Sequence, residues 1–213
     1  RRRVAAVMNA DVAWLSQVHG RRVLNLQRSG MPPLDDPWGV DATNPAQADG
    51  AVTAEPGVAC AVMVADCLPV LFCDRAGTRV AAAHAGWRGA VDGVLENTIA
   101  AMEQLGARRA NIVAVLGPTI AQPSYEVDAP FRARFAEDAE PFFAPAPERD
   151  GAARWHFDLP GFIVARLAAA GLSKIADTGR DTFSHVVRYH SHRRASQAGE
   201  ANYGRQISMI ALP

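Results

Sequence analysis

An α+β fold is predicted for this chain by three observations. Short apolar runs outnumber amphipathic stretches, two neighbouring runs are joined by a hairpin turn, and no change of composition divides the sequence into domains. A doubly wound parallel sheet would instead alternate one strand with one helix throughout. Residues 58–65 form the first buried strand, a nearly continuous apolar run closed by Asp66. Residues 69–73 form the second and 78–84 the third, with Asp74-Arg75-Ala76-Gly77 supplying the turn between them. Over 91–105, Val91, Val94, Leu95, Ile99, Met102 and Leu105 fall on one helical stripe, and Gly106 stands where a helix ends. Residues 111–116 form a further strand. The Pro- and Ala-rich piece 142–151 reads as a surface loop, followed by a helix over 159–170 and a strand over 206–212. No internal repeat is present.

Composition bounds the function. With 213 residues, 49% of them hydrophobic and 21% charged, the chain buries an ample core as one domain. Its 22 basic and 22 acidic side chains cancel, which argues against nucleic acid or an anionic membrane as partner and for a small substrate of modest charge. No apolar run approaches the roughly 18 residues of a membrane span, and Arg1-Arg2-Arg3 lacks the apolar core of a signal peptide, so a cytoplasmic location is expected. The missing initiator Met points to residues preceding Arg1. Cys60, Cys67 and Cys73 are an odd number crowded into one region, which is no disulfide framework, and reduced thiols are expected. A monomer is expected because no exposed apolar stripe stands out.

Chemistry concentrates in three segments. Ala65-Asp66-Cys67-Leu68-Pro69 and Ala83-His84-Ala85-Gly86-Trp87-Arg88-Gly89 each place a reactive side chain at the end of an apolar run and next to a turn. A rigid sheet can aim side chains at such a place while the adjoining loop stays open. Gln17-Val18-His19-Gly20 has the same character. Together they offer one thiol and two imidazoles, the donor set of a catalytic zinc with its fourth position open. Cys60 and Cys73, at other strand positions, read as core. His190 and His192 alternate along what reads as an extended segment and so face one side. His156 and His185 have no supporting context.

These residues carry a family resemblance. Gln17-Val18-His19-Gly20, Asp66-Cys67-Leu68-Pro69, His84-Ala85-Gly86-Trp87-Arg88-Gly89, Leu116-Gly117-Pro118, Tyr125-Glu126-Val127 and the run Arg188-Tyr189-His190-Ser191-His192-Arg193-Arg194 resemble, in order, the YfiH family. That family is known as purine nucleoside phosphorylase and formerly as multicopper polyphenol oxidoreductase or laccase domain. The resemblance implies an α-β-β-α layered sandwich with mixed sheets and activity on purine nucleosides. It also implies a zinc held by two His and one Cys, which map onto His19, Cys67 and His84. Gln17 and Tyr125 become candidate substrate contacts, and Trp87 either stacks on a purine base or packs beneath its glycine turn.

Two reactions suit this donor set. Zinc brings the pKa of a water to about 7, the chemistry that deamination at purine C6 needs. Asp66 is near enough in sequence to move the proton, but neighbours on a strand point to opposite faces. Phosphorolysis needs a cation to hold phosphate beside the sugar C1′. Arg88, four residues after His84 at a helix entry, is the first candidate, and Arg193 and Arg194 are the second. Many family members carry cysteines where this chain has Thr119 and Ser124, which removes thiols near the pocket. A multicopper cluster is therefore harder to build, although copper in the same three-ligand site could oxidise phenols weakly, the laccase-like alternative. Another alternative is a cysteine-type amide hydrolase acting on cell-wall peptide precursors, with Cys67 as nucleophile. A non-catalytic metal protein would need a fourth ligand, for which no spacing offers a candidate.

Overall fold

The structure is a computed structural model and describes residues 7–27 and 46–213. The reading of Arg1-Arg2-Arg3 lies outside the described residues. In chain order the strands are β1 (Asp11–Ala13), β2 (Val23–Asn25), β3 (Gly50–Thr53), β4 (Val58–Val64), β5 (Leu68–Asp74) and β6 (Val80–Ala85), followed by helices α1 (Trp87–Asp92) and α2 (Val94–Gln104). Then come β7 (Ile112–Leu116), β8 (Glu126–Asp128), α3 (Ala129–Arg132), β9 (Phe143–Arg149), β10 (Ala152–Phe157), α4 (Leu159–Ala169), β11 (Lys174–Asp177), α5 (His192–Gln197) and β12 (Gln206–Ala211).

The expected layered α+β sandwich with mixed sheets is what the chain builds. A six-stranded sheet runs β11-β7-β5-β6-β3-β2, antiparallel at its centre and parallel at both edges. Strict alternation along its strands divides two cores. Val70, Phe72, Ala81 and Ala83 face a helical layer made by Leu95, Ile99 and Met102 of α2 with Ile163 and Leu167 of α4. Leu71 and Ala82 face a second sheet, β1-β4-β12, which presents Val58, Cys60 and Val62 to them. Ala59 and Ala61, on the other face of β4, pack with Met8, Trp14 and Met209.

The β5–β6 hairpin follows the sequence closely. Gly77 takes the left-handed conformation at φ 65°, and the Asp74 carboxylate accepts hydrogen bonds from Thr78 N (2.7 Å), Thr78 Oγ1 (2.8 Å) and Arg79 N (3.1 Å). The expected helix over 91–105 starts earlier and is broken. Gly93 sits at φ 97°, closes α1 by donating to Gly89 O, and starts α2 in a new direction.

One expectation is overturned. Residues 142–151 are no loop: β9 forms the edge of a third sheet, β8-β10-β9. Pro145 and Pro147 disguised it, but a strand paired on only one side tolerates prolines whose missing N–H groups face away from the ladder. Asp150 (φ 53°) and Gly151 (φ 71°) form the two-residue turn that joins β9 to β10, with Arg149 and Ala152 paired across it. Phe157 of β10 anchors this sheet to the helical layer through Phe162 of α4 (ring centroids 5.8 Å apart) and packs on Phe131 (5.5 Å) and Phe135 (4.8 Å). Among the described residues, no helix is long and apolar enough to cross a membrane.

Candidate metal centre

Pairing of β5 with β6 sets Leu68 opposite Ala85 and Pro69 opposite His84. Cys67, one residue before β5, therefore meets His84, near the end of β6, at the same rim of the sheet. His19 arrives from a turn in the left-handed conformation, φ 59°. That turn is held by Asp49, which is fully buried just before β3. Its carboxylate accepts the backbone N–H groups of Val18 (3.2 Å), His19 (2.9 Å) and Gly20 (2.7 Å). The same carboxylate lies 2.8 Å from His84 Nδ1. Facing this carboxylate, Nδ1 is the ring's donor to Asp49 and Nε2 is the nitrogen left to serve a metal once deprotonated, the arrangement by which carboxylates orient metal-binding imidazoles.

The ligand atoms of His19, Cys67 and His84 all lie within 4.8 Å of one another, and the group could hold a metal ion. Two glycines make the approach possible. A Cβ on Gly86 would stand 2.8 Å from Cys67 Sγ and 3.2 Å from His19 Cδ2, and one on Gly89 would stand 2.9 Å from Gly20 O. Burial pushes the Cys67 thiol up, but hydrogen bonds with His19 and His84 outweigh it and bring the pKa down to about 7. Burial favours neutral His84, yet Asp49 and Cys67 beside it raise its pKa to about 9. Burial also acts against charge on Asp49, but the His84 contact and the Gly20 and Val18 N–H groups hold its pKa below the usual carboxylate value. The centre is thus arranged for a thiolate and for an imidazole held by a carboxylate.

Beside it opens a cavity of about 680 Å³, within the range of small-molecule sites. His19 and Cys67 form one wall, and Trp87, Tyr125 and Phe131 form an aromatic one. Arg149, Arg154 and Arg193 line the polar remainder. Tyr125, a candidate substrate contact on the sequence, lines the cavity, with the Arg193 guanidinium 5.4 Å from its ring centroid. Burial and the negative potential of Cys67 push the Tyr125 hydroxyl pKa up, so it stays protonated.

Other candidates lie elsewhere. Gln17 is committed to the main chain: Nε2 donates to Met63 O and Oε1 accepts from Met63 N, both at 2.8 Å, as a strand neighbour would. Arg88 is exposed, packs 5.3 Å from the Trp87 centroid, and is not among the residues lining the cavity. Helix α1, at whose entry it stands, has only six residues. Arg194 ties the C-terminal segment together by donating to the carbonyls of Thr182, Phe183 and Tyr189. His192 lines the cavity from the start of α5, whereas His190 is exposed and packs on Gly204, because the chain turns helical between them.

Asp66 is no free proton carrier. At φ 81° it turns the chain just before Cys67, and its carboxylate accepts hydrogen bonds from Thr182 Oγ1 (2.6 Å), Ser191 Oγ (2.9 Å) and Arg193 N (2.6 Å). Thr119 and Ser124, which stand where many family members carry cysteines, serve as hydrogen-bond donors: Thr119 Oγ1 to Asp66 O, and Ser124 Oγ to Asp181 Oδ2. Sequence reasoning missed Asp49, Arg149 and Arg154. An Asp directly before the apolar run Gly50–Thr53 was the available signal for the first, and the Asp150-Gly151 turn for the other two.

Comparison with known proteins places the chain in a family. The chain is 40% identical over 200 residues to a purine nucleoside phosphorylase of Pseudomonas aeruginosa, covering 93% of this chain and 75% of the relative. It is 39% identical over 215 residues to the purine nucleoside phosphorylase YfiH of Escherichia coli, covering 100% and 79%. A Neisseria meningitidis protein of known crystal structure superposes with a TM-score of 0.81 at 35% identity, covering 100% of this chain and 79% of that one. The family model described as multi-copper polyphenol oxidoreductase laccase matches residues 1–213. On sequence and on fold, the chain belongs to this family of YfiH-like, laccase-domain proteins.

Proposed function

We propose that this protein is a zinc-dependent purine nucleoside phosphorylase, releasing free base and ribose 1-phosphate from adenosine, inosine or guanosine, and that it deaminates adenosine at the same site. One observation carries the reading: a His19, Cys67, His84 cluster opens onto a cavity that has an aromatic wall and arginines. The names of the relatives support the substrate class. The donor set fits zinc, because a thiol already lowered to about 7 ionises readily and Asp49 presets one imidazole. Zinc bound there would supply Lewis acidity and lower the pKa of a water.

The remaining work falls to the chain. Trp87 and Tyr125 offer faces on which a purine stacks. Arg193 replaces Arg88 as the residue that holds phosphate, since its guanidinium lies over Tyr125 and is anchored by donation from Nη1 to Glu126 O at 2.9 Å. Held so, the phosphate faces the sugar carbon as positive charge develops there, and walls that exclude water strengthen the attraction. Substrate is a small nucleoside with phosphate, and the protein acts as a monomer in the cytoplasm.

The test is incubation of metal-quantified protein with adenosine, with and without phosphate, followed by chromatography. Phosphate-dependent adenine and ribose 1-phosphate, or inosine, with about one zinc per chain supports the reading. Absence of conversion of adenosine, inosine and guanosine overturns it. A second reading has its own observation: a thiol of pKa about 7 hydrogen-bonded to two histidines is also the start of a cysteine-type amide hydrolase. Low metal content with rapid alkylation of Cys67 would favour it. The family-model description keeps copper-dependent phenol oxidation as a side reaction of the same three ligands.

A further inference from the structure

Asp66 takes a backbone conformation, φ 81°, that glycine adopts far more readily than aspartate does. A turn there asks for nothing from a side chain, so the carboxylate has a separate task. It is buried, and its three hydrogen-bond donors lie 116, 125 and 127 positions later in the chain. Oδ1 accepts from Thr182 Oγ1, while Oδ2 accepts from Ser191 Oγ and from the main-chain N–H of Arg193. The main chain of Asp66 is fixed as well, since its carbonyl accepts from Thr119 Oγ1 and Ile120 N.

Arg193, which lines the cavity, is thereby held at both ends. Asp66 fixes the N–H at its base. At its tip, Nη1 donates to Glu126 O and the guanidinium lies over Tyr125. The residue after Asp66 is Cys67, so the base of a cavity arginine and the base of a candidate metal ligand are both set by one residue. An arginine on a loose segment gives up rotamer and backbone freedom when it grips an anion, and one whose base and tip are already placed gives up less.

We infer that Asp66 is a positioning residue for anion binding: its carboxylate fixes the main chain of Arg193, and through Arg193 it sets the affinity of the cavity for inorganic phosphate. This deepens the proposed function and rests on it only for the use to which the phosphate is put.

Dissociation constants for inorganic phosphate and for adenosine are measured by calorimetry on the protein as purified, with metal content, for wild type, Asp66→Gly, Asp66→Asn and Arg193→Gln. Asp66→Gly removes the carboxylate without straining the turn. Asp66→Asn can keep its carbonyl oxygen toward Ser191 and Arg193 and turn its amide toward Thr182, whose hydroxyl accepts as well as donates. Asp66→Gly is expected to weaken phosphate about tenfold while adenosine and metal content hold, and Asp66→Asn to regain most of that loss. Arg193→Gln should show the same selective loss. Should Asp66→Gly fail to fold, Asp66→Glu, which keeps an acceptor but shifts it by one methylene, is read in its place with the same expected direction. A structural role alone would weaken both ligands together, and that outcome overturns the inference. So do a phosphate loss that only follows loss of metal, an undiminished phosphate affinity in Asp66→Gly or in Arg193→Gln, and a wild type that binds no phosphate. Selective phosphate loss in protein that turns over neither adenosine, inosine nor guanosine would overturn the phosphorylase reading and support the positioning role.

Discussion

Asp49 Oδ1 lies 2.8 Å from His84 Nδ1 and 2.9 Å from His19 N, so one buried carboxylate orients one imidazole and sets the backbone of the other. Asp49→Asn keeps the shape, removes the charge and turns one of the two acceptor oxygens into a donor, set against either the Val18 and Gly20 N–H groups or the His19 N–H group and the His84 ring nitrogen. Zinc affinity is expected to fall about 10- to 100-fold, measured by competition with a chromophoric chelator. An unchanged affinity would show that His84 is oriented by packing alone.

Gly86 and Gly151 separate steric from conformational effects. Gly86 has φ −68°, which any residue adopts, so Gly86→Ala adds no backbone strain and acts by pressing Cβ toward Cys67 Sγ. It should weaken metal binding and turnover together. Gly151 has φ 71° with nothing within 4 Å of a built Cβ, so Gly151→Ala should cost about 1 kcal/mol in urea unfolding and leave metal content unchanged. Equal metal loss in both variants would contradict this division.

Asp66→Ala removes the acceptor shared by Thr182, Ser191 and Arg193. A loss of stability on the order of 3 kcal/mol is expected, since three donors lose a charged partner in a buried place. Denaturant titration measures the stability, and a loss below about 1 kcal/mol would mean that water replaces the carboxylate.

Acid stability should depend on Asp74. Burial raises its pKa, but Thr78 and Arg79 outweigh that and hold it below 3.8. A carboxyl with a depressed folded-state pKa binds protons more readily when unfolded. Its stabilisation is therefore complete above the unfolded value and fades as pH falls through the folded one. Urea midpoints followed downward from pH 6 should drop less steeply for Asp74→Asn than for wild type, and parallel curves would remove Asp74 from the acid response.

Much of the architecture was legible because hydrophobic periodicity and turn chemistry are local. The runs at β4, β5 and β6 and the Asp74–Gly77 turn needed no partner to be recognised. Strands β1, β2 and β3 went unseen, being three or four residues long and defined by their neighbours. His19, Cys67 and His84 stood out because each adjoins a strand end or a turn and each offers a metal-binding atom. Arg88 shows the limit of the same logic: proximity in sequence to His84 did not carry its side chain into the cavity, whereas Arg149 and Arg154 reach it from a sheet hidden behind prolines. Pairing partners, unlike turns, are non-local information.

The Asp66 contacts to Ser191 and Arg193 join residues 125 and 127 positions apart. During synthesis the chain emerges from its N-terminal side, so the sheet that aims His84 can form long before these two residues leave the ribosome. The turn before Cys67 acquires its full set of restraints only once that late segment docks. Completion of the centre in this sense waits on the C-terminal part of the chain, and a nascent chain stalled before residue 191 would carry all three ligands without the clasp that steadies one of them.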